Sequence, residues 1–396
     1  MSKEDPIVIV AAKRTPVGHF GGQFKTTSTP ALGAAVIADC LSQATLKADA
    51  IDEVIMGCVL PAGLRQAPAR QAALAGGLSK ATPCTTINKM CGSGMKAVMQ
   101  AHDAILAGSS NIVIAGGMEN MSLAPYLLPK ARFGYRLGHG QVTDHMMMDG
   151  LEDAYKEHHP MGYFAEECAS RFHFTREQQD AFALQSLQRA QAAVKQSFFS
   201  NEITPVTMKT RKGEECIQTD EGPNTVKAEK IPTLKPAFLK GGTVTAANSS
   251  SISDGAACLI LMRQSEAKKQ GCKILATILA HATHAQEPEW FTLAPVGAIE
   301  KLLKKIDWEV NDVDLFEINE AFAVVTMAAI ESLKLDPDKV NVNGGACVLG
   351  HPIGASGARI LVTLIYALQQ RNLKRGIASL CIGGGEATAI AIELKD

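Results

Sequence analysis

The sequence predicts an α/β protein made of two similar halves with an inserted loop domain, and three observations carry that prediction. Short β-branched runs alternate with longer stretches of helical period, the pattern of strand–helix–strand units. Glycine is abundant at 34 residues while aromatics make up only 5%, which favours tight strand-to-helix turns over an all-β sandwich. The last part of the chain also repeats the first at low identity. "SGMKAVMQAHDAILAGSSNIVIAGGME" at 93–119 and "SGARILVTLIYALQQRNLKRGIASLCIGGGE" at 356–386 each run Ser-Gly, an apolar-faced helix, a strand, then Gly-Gly and an acid. "IDEVIMG" at 51–57 has its counterpart in "VDLFEINE" at 313–320. The halves fall at 1–270 and 271–396, the first holding the inserted domain at about 120–245.

Taken in order, "PIVIVAA" reads as a strand, "KRTPVGHFGG" as a loop, and "TPALGAAVIADCLSQA" as a helix with proline in its first turn. "DEVIMGCVL" is a second strand. After Cys91, Met95, Val98, Met99 and Leu106 recur at helical spacing, with Lys96, Gln100 and Asp103 on the opposite face and Gly108 as the stop. "NIVIAGG" then reads as a buried strand, and the alternation implies parallel pairing. From 120 to 245 the strand signals weaken. "REQQDAFALQSLQRAQAAVKQ" is helical, whereas "KGEECIQTDEGPN" and "KIPTLKPAFLKGG" read as loops. Met146, Met147 and Met148 fit core or interface packing better than an acyl pocket, because methionine fills irregular gaps.

Composition bounds the function. The chain is 46% hydrophobic and 20% charged, with a formal net charge of −1, so it lacks the basic footprint of a nucleic-acid binder. No stretch reaches the roughly 18 apolar residues of a membrane span. "MSKEDPIVIV" carries no secretory pattern and "ELKD" no peroxisomal address, which points to the cytoplasm. The ten cysteines show neither zinc-ligand spacing nor a compact disulfide framework, so no metal site is expected and the thiols read as reduced.

"INKMCGSGMKAV" at 87–98 places Cys91 between glycines at the mouth of a helix. Such a cysteine is either small core filler or a nucleophile. The helix dipole would favour its thiolate, and Gly92 and Gly94 would let a carbonyl approach the backbone. His351, in a Gly-His-Pro sequence, is either a turn residue or a base. Taken alone, Cys381 reads as a buried strand-end cysteine, Ser250 as a helix N-cap, and Phe238 and Phe322 as core.

"NKMCGSGMKAV", "NEAFA" at 319–323, "NGGACVLGHPIGASGAR" at 343–359 and "CIGGG" at 381–385, in that order, closely resemble the thiolase family. "AGGMENMS" at 115–122 and "GTVTAANSSSISDGAA" at 242–257 extend the likeness over essentially the whole chain. The resemblance implies duplicated α-β-α-β-α layers and acyl transfer between coenzyme A thioesters, with no other cofactor. Acetyl-CoA, acetoacetyl-CoA and CoA are the implied substrates. It makes Cys91 the acylated nucleophile, His351 its base, and Cys381 the acid/base at the substrate α-carbon. It implies one oxyanion site at His351 with a water held by Asn319, and another at the amides of Cys91 and Gly383. Ser250, Phe238, Phe322 and Met161 match substrate- and CoA-contacting positions. The segment "LLPKARFGYRLGHGQVTDHMMMDG" resembles the loop that ties family dimers into tetramers.

Two positions depart from the pattern. Short-chain members usually carry histidine before this Met-Gly, where the chain has Pro160, with His158 and His159 upstream. An arginine used near the CoA nucleotide is replaced by Asn224. The implied activity is condensation of two acetyl-CoA to acetoacetyl-CoA, or its reversal. The alternatives are a longer-chain 3-ketoacyl-CoA thiolase, a ketoacyl synthase and a non-catalytic CoA- or lipid-binding protein. A ketoacyl synthase would pair its cysteine with two histidines, whereas a second cysteine stands here.

Overall fold

A computed structural model describes residues 5–210 and 213–395. Nine strands form the main run of the central sheet: β1 (Ile7–Arg14), β2 (Glu53–Gly57), β3 (Cys84–Ile87), β4 (Ile112–Asn120), β5 (Ser253–Arg263), β6 (Ala276–Ala285), β7 (Leu315–Ile318), β8 (Arg375–Ile382) and β9 (Glu386–Glu393). Their order is β7-β8-β9-β6-β1-β5-β4-β2-β3, with the short strand Gly18–His19 added beside β5. The halves join where Val8 pairs with Thr277 and Ile9 with Ala276. Outward from that seam the first half runs β1, β5, β4, β2 and the second β6, β9, β8, β7. The repeat read in the sequence is therefore a repeat of topology.

Pairing is mixed rather than parallel. Only β2–β3, β2–β4 and β7–β8 are parallel, while β1, β5, β6 and β9 all pair antiparallel. The expectation of parallel pairing fails because these strands are buried on both faces. Ten of the eleven residues of β5 are buried, so it reads as one apolar run whichever way it pairs.

Helices α1 (Thr29–Ala44) and α2 (Pro68–Ala75) cover the first half, with Leu32, Val36 and Ile37 facing Val8, Ile114 and Ile260. Helix α6 (Ala294–Ile306) covers the second through Ile299, Leu302 and Leu303. Between the halves lie α3 (Ser93–Ala107) and α8 (Ser356–Gln370), whose apolar residues share one core with strands of both. The layers are thus α-β-α-β-α.

The central helices touch backbone to backbone. A Cβ on Gly94 would lie 2.9 Å from the Ala358 nitrogen, and one on Gly357 2.5 Å from the Met95 nitrogen. The two Ser-Gly pairs of the repeat are the residues that make this crossing possible.

The inserted region carries α4 (Met161–Phe172) and α5 (Arg176–Lys195). Thr175 caps α5 with Gln178 in a reciprocal capping box. Val206–Thr210 and Gly213–Ile217 form a hairpin where the sequence reads as a loop. Four of the five residues in its second strand are exposed, so no apolar alternation marks it. No helix among the described residues is long and apolar enough to cross a membrane.

Candidate active site

The site forms where the N-termini of α3 and α8 meet the C-terminal ends of β7 and β8. After β3 the chain turns sharply, with Met90 held at φ +46°. Asn88 Oδ1 accepts from the Met90 amide at 2.8 Å, and Ser93 Oγ accepts from Lys89 N and donates to Met90 O. A non-glycine residue in this left-handed region carries a conformational cost of about 1–2 kcal/mol, met here by the surrounding hydrogen bonds. Lys89 is also ion-paired with Glu386. A Cβ on Gly92 would lie 2.3 Å from the Ile382 side chain, so the turn closes tightly onto β8 and a larger residue would have to displace that isoleucine. Cys91 is left half-buried at the base of a cavity.

That cavity, about 530 Å³ in volume, brings together Cys91, His351, Cys381 and Gly383. Met161, Phe238, Ser250 and Phe322 line its walls. The rings of Phe238 and Phe322 meet edge to face at 5.9 Å, and Phe238 lies so close over Gly162 that a Cβ there would sit 2.3 Å from it. Both phenylalanines pack in the core and face the cavity. No helix follows Ser250, contrary to the N-cap reading. Its amide donates to Ala321 O at 2.9 Å and β5 begins three residues later. The methionine run divides: Met146 is buried, Met147 lines the cavity and Met148 is exposed.

His351 is fixed by its neighbours. Its Nδ1 lies 2.5 Å from Ser356 Oγ, which in turn donates to Pro352 O at 3.0 Å. Committing the serine hydrogen to that carbonyl assigns the imidazole hydrogen to Nδ1 and leaves Nε2 its lone pair; Asn319 Nδ2, 3.5 Å from Nδ1, is then a contact and not a donor. Nε2 is buried without a hydrogen-bond partner, as is Oδ1 of Asn319, whose amide lies 3.5 Å from the same ring. Asn319 is anchored by its own N–H to Ser379 O.

Charge follows burial rather than the helix dipole. Burial pushes the Cys91 thiol up to about 11, although the N–H groups of Gly383 and of Cys91 itself act the other way. Burial thus works against the helix-mouth stabilisation of the thiolate expected from the sequence. Burial, then the Arg359 guanidinium, pushes His351 down to about 3. Burial, then the nearby Cys91, holds Cys381 well above the usual thiol range. All three groups rest neutral.

Glu119 stands behind Cys91. Its carboxylate accepts from the amides of Val59 at 2.9 Å, Leu60 at 3.2 Å and Gly354 at 2.9 Å, tying two loops to β4. Burial lifts its carboxyl to about 7 against those N–H groups.

A thiolase N-terminal domain profile matches residues 7–265, and a thiolase C-terminal domain profile matches 272–394. The chain belongs to the thiolase family. It is 49% identical to an acetyl-CoA acetyltransferase of Cupriavidus necator, over 98% of this chain and 99% of that one. It is 47% identical to a probable acetyl-CoA acyltransferase of Staphylococcus aureus, over 98% of each. The crystal structure of the Bacillus anthracis acetyl-CoA acetyltransferase superposes with a TM-score of 0.96, at 42% identity and 99% coverage of both chains.

The departures from the thiolase pattern have distinct settings. Pro160 caps α4 and lines the cavity, where it offers no side-chain donor. His159 stacks on Tyr163 at 4.1 Å, and His158 lies 3.1 Å from Asp153 O. Asn224 is exposed, and its amide donates to Asp220 O. Sequence reasoning missed Ser356 and Glu119 as parts of this thiolase site. Both lie within the repeated Ser-Gly and Gly-Gly-acid patterns, which were the available signal.

Two outcomes test this electrostatic picture. Alkylation of Cys91 by iodoacetamide should keep accelerating from pH 7 through pH 10, as a thiol near 11 requires; a plateau below pH 8 would mean a preformed thiolate. Ser356→Ala should lower kcat for acyl transfer by roughly ten- to a hundredfold, the worth of one hydrogen bond to a group that becomes charged (about 1.5–3 kcal/mol), with KM little changed. An unchanged kcat would remove Ser356 from the orientation of His351.

Proposed function

We propose that this thiolase is an acetyl-CoA C-acetyltransferase, condensing two acetyl-CoA to acetoacetyl-CoA and CoA and running the reverse thiolysis. The observation that carries this reading is a half-buried thiol and a second, fully buried thiol in one apolar cavity, beside an imidazole with its Nε2 lone pair free. The name of the Cupriavidus necator relative supports the acetyl specificity.

Because Cys91 and His351 both rest neutral, the Cys91 proton moves to His351 Nε2 as sulfur attacks the thioester carbon, not before. The imidazolium so formed then faces the thioester oxygen with Asn319, while the amides of Cys91 and Gly383 supply the second oxyanion site. As the tetrahedral intermediate collapses, the departing CoA sulfur takes the Cys381 proton. This leaves acetyl-Cys91, a Cys381 thiolate and a protonated His351.

Cys381 next removes an α-proton from the second acetyl-CoA. The resulting carbanion attacks acetyl-Cys91, and His351 returns its proton to the Cys91 sulfur. Protons and charge balance over the cycle without any cofactor beyond the CoA thioesters. In thiolysis the neutral Cys381 thiol is already the acid needed at the α-carbon. Ser250, Met161, Phe238 and Phe322 form the channel for the pantetheine arm and acyl group.

A broader 3-ketoacyl-CoA thiolase is the second reading. It is favoured by Pro160, by the apolar cavity wall of Met147, Leu151 and Ile353, and by the name of the Staphylococcus aureus relative. We place the enzyme in the cytoplasm as a dimer of dimers, its arm exposing Tyr126, Phe133 and Leu137 at 68%, 89% and 98%.

CoA-dependent thiolysis of acetoacetyl-CoA and of an eight-carbon 3-ketoacyl-CoA, on one preparation, decides between the readings. Preference for acetoacetyl-CoA by tenfold or more is expected; equal or faster cleavage of the longer chain would establish the broader enzyme, and cleavage of neither would leave a CoA-binding protein. Light scattering should give four times the 42.0 kDa chain mass, and a monomer would refute the assembly.

A further inference from the structure

On the far side of α3 from the catalytic turn, His102 and Asp103 of its C-terminal half meet His281 of β6. His281 Nε2 lies 2.9 Å from Asp103 Oδ1, and His102 Nδ1 lies 3.3 Å from the same oxygen. The imidazoles stand edge to face at 5.1 Å. All three donor atoms fall within 4.8 Å of one another, the only such group of three among the described residues. His102 is buried, His281 half-buried and Asp103 exposed, so the cluster opens to solvent on the carboxylate side.

We propose that His102, Asp103 and His281 form a binding site for a divalent transition-metal ion of the zinc class, with two imidazoles and one carboxylate as ligands and the remaining position open to solvent.

The donor set fits that class. Two nitrogens and one oxygen suit zinc, cobalt or nickel, whereas magnesium and calcium prefer oxygen ligands. Ligands about 2.0–2.2 Å from a tetrahedral ion stand roughly 3.3–3.5 Å apart, so shifts of about 1 Å or less convert the observed cluster into a coordination sphere.

An imidazole ligates through a ring nitrogen free of hydrogen, and either ring can present one by moving its hydrogen to the other nitrogen. Lys305 Nζ sits 3.2 Å from the His281 carbonyl, a nearby cation that opposes a bound ion and holds its affinity down. An ion here would pin α3, which begins two residues after Cys91, to a strand of the other half.

The test uses cobalt(II) as a spectroscopic probe and zinc as competitor on the full-length protein. One cobalt per chain should give visible d–d absorption without a sulfur charge-transfer band, displaced by zinc and retained after iodoacetamide blocks the thiols. Zinc at a hundred times its dissociation constant should multiply the folded-to-unfolded ratio about a hundredfold, seen as a raised Tm. Asp103→Asn, a change at an exposed position, should weaken cobalt binding at least tenfold while leaving metal-free thiolysis unchanged. His281→Gln should abolish binding. Absence of saturable absorption, a sulfur charge-transfer band on the bound ion, or equal affinity in Asp103→Asn would each overturn the proposal.

Discussion

The crossing of α3 and α8 at Gly94 and Gly357 is the constraint on which the rest of this structure depends. Each helix begins just after a reactive loop, Cys91 before one and His351 before the other. Backbone contact at the crossing sets the separation of those loops to a tolerance that side-chain packing alone would not give. The duplicated fold thus makes an asymmetric site. The first half contributes Cys91, and the second contributes His351, Cys381 and Asn319.

Burial then dictates the chemistry. A cavity apolar enough to take an acyl chain favours the neutral forms of Cys91, His351 and Cys381, and His351 has no carboxylate partner to hold a positive charge. Its short hydrogen bond at Nδ1 is to a serine whose hydroxyl also reaches the Pro352 carbonyl. This arrangement orients the ring without charging it. It suits a reaction whose anionic charge appears only transiently, on a thioester oxygen or a leaving sulfur. Reactivity is drawn from the substrate's arrival rather than stored in a resting ion pair.

Much of this was legible in the residues. Pro30 and the helical period of 29–44 marked α1 to the residue, Gly108 marked the end of α3, and the paired Ser-Gly and Gly-Gly-acid patterns announced the duplication. The resemblance of four motifs to thiolases selected Cys91, His351, Cys381 and Gly383, which converge on one cavity. Strand direction was not legible, because strands buried on both faces lose their alternation. Nor was the Cys91 charge state, since the helix dipole is visible in sequence while the depth of burial is not. The roles of Ser356 and Glu119 depend on where one hydroxyl and two carboxylate oxygens point. His102 and His281 stand 179 residues apart in the chain and become neighbours only through the sheet.

The seam between the halves also has a consequence for biosynthesis. Strand β1 pairs with β5 through Ile7 and Arg263, and with β6 through Val8 and Thr277, and nearer in the chain it meets only the single bridge of Arg14 to Ile203. At 5–20 residues per second, a ribosome needs about 10–50 s to deliver those partners. For that interval "IVIVAA", six residues all buried in the finished sheet, lacks its flanking strands. The strand at the seam is thus the last of its half to be completed, and its pairing on both sides waits for residues made about 250 positions later.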